Sequence, residues 1–192
     1  TARIAEGSDF IKMIHDDLAG RHAPRPTLDA RTLAGLAAAA GARGKLAVAY
    51  IGTEAQARTA IAAGAHGLVH LFIAAALSPD FAELVARRGT FVIPTLTILR
   101  MICGEPSGAA IMADSQLGPY VRPGLRSMLS MSRPAPDNPP SCAGTVDAIR
   151  ALAARRVPLL AGTDAPVPGQ TYGASLHREL ELLVQVGLTP AQ

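Results

Sequence analysis

A short apolar run followed by a capped helical segment recurs along the whole chain, and that alternation admits few folds. The runs are Asp9 to Ile14, Leu46 to Tyr50, Gly67 to Phe72, Thr90 to Pro94 and Pro158 to Pro166. Between them lie helix-forming stretches. One starts at Thr27-Leu28-Asp29 with Thr27 as its cap and runs to about Ala42, with Gly41 and Gly44 at its exit. The next starts at Thr53, carries Glu54 in its first turn and ends at Gly64; the others cover Pro79 to Arg87, Ala143 to Arg155 and Gly173 to Val186, the last stopping at Gly187. A Thr or Asp side chain accepts from the first helical N–H groups, and Gly permits the left-handed exit. Strand, helix and strand in succession build right-handed crossovers and a parallel sheet. The alternation predicts an α/β fold of about five βα units.

The rhythm lapses between Thr95 and Pro140, where Pro, Gly, Ser and Met crowd, most densely in Arg133 to Pro140. That length predicts an excursion over the strand ends, with a short helix around Pro119 to Met131. A closed barrel needs eight strands and about 250 residues; this chain has 192. The expectation is one domain over residues 1–192, either an open five-stranded sheet or a partial TIM-like (β/α)8 barrel lacking its first strands. Thr1 in place of Met, and Thr189-Pro190-Ala191-Gln192 resembling a helix just begun, lead us to expect that both ends are cut.

Charged residues make up only 17% of the chain and hydrophobic ones 49%, which excludes a disordered tail. Scattered arginines, a net charge of +3 and 4% aromatic residues offer nucleic acid no basic, aromatic surface. No apolar run has the length of a membrane span, so no membrane partner is expected. Cys103 and Cys142 stand far apart outside any Cys-x-x-Cys pattern, and the expected setting is a reduced, cytoplasmic one.

Four of the five strands deliver a residue able to touch a metal or a proton: Lys12, Tyr50, His70 and Asp164. Singly they mean little, since a lone His70 reads as an interior residue and Asp164 as a turn opener. In register at the carboxyl ends of parallel strands, they fall where such folds place their chemistry. Lys12 is one of only two lysines and stands within an apolar strand, where an unpaired ammonium is costly. Burial would favour its neutral amine, for nucleophilic attack or for carboxylation by CO2; the plainer alternative is an ion pair with Asp16 or Asp164. His15, Asp16 and Asp17 could line the mouth but read more simply as a solvated loop. His66 reads as structural, and His177 and Glu179 as a helix that could be wholly surface. Gln170 and Tyr172, in the loop after Asp164, are candidate substrate contacts.

The stretches Gly7-Ser8-Asp9-Phe10-Ile11-Lys12, Gly44-Lys45-Leu46-Ala47-Val48-Ala49, Gly64-Ala65-His66-Gly67-Leu68-Val69-His70 and Ala161-Gly162-Thr163-Asp164-Ala165 together resemble the amidohydrolase superfamily. The branch they are most similar to is that of imidazolonepropionase-like and Xaa-Pro dipeptidase-like enzymes. Leu176 to Leu183 and Gly187 to Pro190 extend the likeness. The resemblance implies a (β/α)8 barrel holding zinc or another divalent metal. In it Lys12 matches the strand-four lysine, carboxylated in some members, and His70 the strand-six ligand. Asp164 matches the strand-eight aspartate, which binds metal and takes the proton from the attacking water. The implied substrate is a small amide or dipeptide-like molecule, and the bond hydrolysed an amide-type C–N bond.

Two departures stand out. No His-x-His motif is present, and Tyr50 stands where the family has histidine; a neutral phenol is a poor zinc ligand. The chain therefore admits a second reading, a remnant without metal that covers its open sheet edges by homo-oligomerisation and serves as a binding module or has another activity. A doubly wound phosphate-binding fold ranks below both, because no Gly-x-Gly-x-x-Gly or Walker-type loop is present.

Overall fold

The computed structural model of the protein describes residues 2–17, 25–73, 76–106, 108–131 and 140–192. After a short helix α1 (Ala2–Ala5), the strands β1 (Phe10–Ile14), β2 (Leu46–Tyr50), β3 (Gly67–Val69) and β4 (Phe91–Ile93) form one sheet in the order β1-β2-β3-β4. All pairings are parallel, with Lys12 beside Val48, Val48 beside Gly67, and Gly67 beside Phe91. The crossovers are α2 (Ala30–Gly41), α3 (Glu54–Ala62) and α4 (Phe81–Arg88). Thr53 caps α3 as expected, accepting from Gln56 N–H at 3.2 Å. Helix α2 is capped by Asp29, which accepts from Thr32 N–H at 2.7 Å, whereas Thr27 turns back to donate to the Ile14 carbonyl.

The expected fifth strand is reduced to a single bridge. Val92 N–H donates to Pro158 O and Leu160 N–H to Val92 O, both at 2.9 Å. Pro158 has no N–H to offer and the segment borders only β4, so pairing stops after one residue. It still occupies the fifth position, beside β4.

Helices cover one face of the sheet. Leu33, Ala37, Ala57, Ile61, Val85, Ile149 and Leu152 pack in one cluster with Met13, Ala47, Ala49, Leu68 and Val92. The small Ala side chains let α2 and α3 lie close on the strands. The opposite face is open: Phe10, Ile14, Leu46 and Leu160 are 52%, 48%, 46% and 45% exposed. The first strand is therefore not buried on both faces as its apolar run suggests. The Lys12 side chain is 38% exposed, because β1 is an edge strand and Lys12 lies on the uncovered face.

The excursion after β4 holds more helix than its composition suggests: α5 (Leu96–Ile102), α6 (Gly108–Ala113), a short 3-10 turn at Gly118–Tyr120 and α7 (Pro123–Ser130). Ile111, Val121 and Leu129 give it a small core of its own. The Pro-rich stretch 132–139 lies outside the described residues. Helices α8 (Ala143–Ala154) and α9 (Ala174–Gln185) complete the chain. Cys103, closing α5, and Cys142, opening α8, are joined in a disulfide with Cα atoms 5.9 Å apart. The expectation of two reduced thiols is thus corrected. Distance along the chain hid the fact that α8 starts where α5 ends.

Glu179 corrects the surface reading of α9. Its carboxylate is fully buried and accepts from Leu96 N–H at 2.7 Å and Thr97 N–H at 2.8 Å. These belong to the first turn of α5, whose leading N–H groups have no partner within the helix. Burial raises the Glu179 pKa above its ordinary 4.5, against the opposing pull of the Thr97 and Leu96 N–H groups. A carboxyl whose folded pKa is raised adds stability that is complete below the ordinary value and is lost as pH rises through the raised one. The unfolding free energy of the wild type relative to Glu179→Gln should therefore fall as pH rises from about 4. Urea titrations at several pH values measure this, and a pH-independent difference would refute the assignment. Glu179→Ala should cost about 2–5 kcal/mol, since it leaves two buried N–H groups without acceptors.

Candidate functional site

Parallel strands bring their carboxyl ends to one rim, and the chain ends successive strands with polar groups there. Lys12 lies in β1, Tyr50 closes β2, His70 follows β3, and Asp164 follows the 158–160 segment. The structure brings all four together. Lys12 Nζ lies 3.9 Å from Asp164 Oδ1, and His70 Nε2 lies 3.7 Å from Asp164 Oδ2. The Tyr50 ring packs edge-on to the His70 ring with centroids 4.5 Å apart, and Lys12 Nζ stands 5.4 Å from the Tyr50 ring centroid. His70 is buried, while the side chains of Lys12 and Asp164 are about one-third exposed, at 38% and 35%.

Two of these residues hold unusual backbone. His70 has φ 65° and Asp164 φ 59°. Alternation along β3 would send the residue after Val69 to the helix-covered face, with Leu68. The left-handed turn redirects the imidazole toward Tyr50 and Asp164. Its Nδ1 lies 2.6 Å from Thr95 Oγ1. Thr95 is itself left-handed, at φ 53°, and buried; nothing in the sequence marks it.

The remaining candidates lie elsewhere. His15 is buried, with Nδ1 2.7 Å from the Leu28 carbonyl, and Asp16 is buried against Gly52, so the expected solvated loop is a packed one. Asp17 accepts from Gln56 Nε2 at 3.1 Å. Gln170 is buried with its amide between Thr163 O (2.6 Å) and Ile98 N–H (2.9 Å), which makes it a brace and not a substrate contact. Tyr172 is 62% exposed. His66 is structural as expected, accepting from Ala47 N–H.

A cavity of about 270 Å³ opens beside His70 and Tyr50, walled by Leu71, Phe72, Ile98, Leu99 and Ile102. A larger one, about 780 Å³, lies between α9 and Leu159–Ala161 and is lined by none of the four rim residues. The smaller cavity is the one that adjoins the rim, through Tyr50 and His70.

A metal can be tested against these donors. Two ligands about 2.1 Å from one tetrahedral ion stand about 3.4 Å apart. His70 Nε2 and Asp164 Oδ2, at 3.7 Å, meet that spacing. Lys12 as an ammonium has no lone pair to give, and both its neighbours, a carboxylate and a ring face, suit a cation. Among the described residues no cluster of three His, Cys, Asp or Glu comes together. The set fits a catalytic ion, which takes three protein ligands, only if Lys12 is N-carboxylated and becomes an oxygen donor.

No protein-family model and no curated protein sequence matches the chain. Solved structures do. The A. niger ochratoxinase superposes with a TM-score of 0.65 at 18% identity, covering 98% of this chain and 37% of that one. A Xaa-Pro dipeptidase with bound methionine gives 0.62 at 19% identity, covering 97% and 41%. An amidohydrolase gives 0.63 at 19% identity, covering 99% and 40%. The chain therefore shares its fold with part of these structures, which are TIM barrels. The particular likeness is to the ochratoxinase, dipeptidase and amidohydrolase structures, of which this chain spans 37–41% of the length.

Asp164→Asn should leave stability within about 1 kcal/mol of wild type, since an ion pair one-third exposed to water contributes little and Asn tolerates the left-handed region. Asp164→Val should cost about 1–3 kcal/mol, because a β-branched residue is strained there. Urea unfolding distinguishes them; equal costs would show that the backbone turn does not set the site.

Proposed function

We propose that the chain carries part of the active centre of a metal-dependent amidohydrolase, hydrolysing amide-type C–N bonds of a small amide or dipeptide-like substrate. The observation that supports this most is that Lys12 and His70, from two different strands, each come within 3.9 Å of Asp164. His70 Nε2, one Asp164 oxygen and an N-carboxylated Lys12 would hold the ion. Carboxylation joins the neutral Lys12 amine to CO2 through a new N–C bond and releases one proton. An ion held there would supply a water acidic enough to ionise near neutral pH. The second Asp164 oxygen would accept a proton from that water and give it to the departing amine nitrogen. The cavity beside His70 takes the substrate's apolar side chain, and Tyr172 is retained as an outer substrate contact. His15 is not retained, its ring being engaged with Leu28. No helix among the described residues is long and apolar enough to cross a membrane. The Cys103–Cys142 bridge counts against the expected cytoplasmic setting, since reducing compartments keep such thiols open.

Bound zinc per folded chain, measured with bicarbonate present, tests this reading. The wild type should hold little and Tyr50→His more, because histidine adds a donor beside His70 and removes the ring face that favours the Lys12 cation. Two folded proteins equally empty of zinc would overturn it.

A second reading is favoured by one observation, the open apolar face of Phe10, Ile14, Leu46 and Leu160. A second copy of the chain would cover it, with no metal required. Sedimentation equilibrium at micromolar concentration should then give a dimer that Phe10→Ser with Leu46→Ser converts to monomer. A monomeric wild type would reject that reading.

A further inference from the structure

We infer that Thr95 is a positioning residue that selects the tautomer of His70, making Nε2 the lone-pair nitrogen that faces Asp164. The hydroxyl has one hydrogen. Thr95 Oγ1 spends it on the Pro94 carbonyl, at 2.7 Å. The 2.6 Å contact between Thr95 Oγ1 and His70 Nδ1 must then run the other way, with Nδ1–H donating. A neutral imidazole with its hydrogen on Nδ1 carries its lone pair on Nε2.

Among the described contacts, Asp164 works in the opposite direction. A carboxylate near Nε2 draws a proton to that nitrogen, but at 3.7 Å it lies beyond hydrogen-bonding distance. The contact at 2.6 Å is the stronger of the two. Removing the Thr95 hydroxyl takes away the acceptor that holds the hydrogen on Nδ1, so the preference shifts toward Nε2–H.

The backbone supports a built arrangement. Thr95 is β-branched and left-handed at φ 53°, a conformation rare for such a residue, and it is 1% exposed. Strain of this kind persists only where surrounding structure over-determines it. Here the next two N–H groups, Leu96 and Thr97, are both clamped by Glu179. The turn is thus held from α9 on one side and meets His70 on the other.

The proposal rests on the metal reading only for its purpose, since an ion at Nε2 needs that lone pair. Its test does not. In metal-free protein with 15N-labelled histidine at about pH 8.5, two units above the usual imidazole value, His70 is identified by comparison with His70→Gln. Wild type and Thr95→Ser should both show a pyridine-type Nε2 and a pyrrole-type Nδ1. Thr95→Val should shift the population toward Nε2–H. A pyrrole-type Nε2 in the wild type overturns the inference, and so does an unchanged tautomer in Thr95→Val. If Thr95→Val fails to fold, the wild-type and Thr95→Ser spectra decide alone. If the wild type binds zinc, Thr95→Val should weaken that binding about 10–100-fold while Thr95→Ser restores it. If wild type and Tyr50→His are equally without zinc, the tautomer result stands and only the metal reading is rejected.

Discussion

The site depends on a break in strand alternation. Parallel register sets Tyr50 beside Val69 and leaves His70 due to point at the helices, away from Tyr50's side. A left-handed residue at that point reverses its direction, and the histidine reaches a carboxylate that arrives from nearly a hundred residues further along the chain. A non-glycine residue bears a conformational cost for this, so the turn must be held by something outside itself. The Thr95 hydroxyl supplies that hold from the end of β4, one strand over. The rim is therefore built from three adjacent strand ends that constrain one another, and moving any one of them displaces the imidazole.

What was legible in the sequence follows from locality. The strands could be read because each is a short apolar run, and a polar residue in or beside such a run stands out. Lys12, Tyr50, His70 and Asp164 were all visible in that way, as was the Thr53 cap, which acts across three residues. The hidden features act over long separations. Glu179 bonds to an N–H 83 residues away, and from the sequence it is one more acid in an amphipathic helix. Thr95 owes its role to a dihedral angle that no residue type announces. Cys103 and Cys142 are 39 residues apart and meet only because two helix ends coincide. The fifth strand shrank to one bridge because hydrophobicity does not report whether a neighbour exists on the far side. The same is true of Lys12, whose apolar flanks suggested burial while the open face gives it solvent.

On the proposed metal reading, one contact stands in the way of a complete ligand set. His70 and Asp164 have a spacing that two ligands of one ion could adopt, whereas Lys12, the proposed third ligand, is a cation held in an ion pair. The Tyr50 ring face and the Asp164 carboxylate both attract that cation. Converting the amine to a carbamate reverses the sign of its charge, so Asp164 would then repel it unless an ion lay between them. Under that reading, carboxylation and metal capture would be coupled by this electrostatic requirement. A lysine so placed would be a conditional ligand, paired with Asp164 in the absence of metal and released from that pair when CO2 and metal were both bound.

The Glu179 clamp extends this coupling to the periphery. Burying a carboxylate is costly, and a residue elsewhere on α9 could have packed against α5 with an apolar side chain at less expense. What the carboxylate adds is direction: two N–H groups aimed at one acceptor fix the orientation of the peptides that follow Thr95. An apolar contact would tolerate rotation of that turn; a bidentate acceptor does not. Since the Thr95 hydroxyl must lie within hydrogen-bonding distance of both the Pro94 carbonyl and His70, a rotation of the turn would lose one of the two. The buried charge on α9 and the imidazole at the rim thus belong to one chain of hydrogen bonds, in which each member takes its orientation from the one behind it.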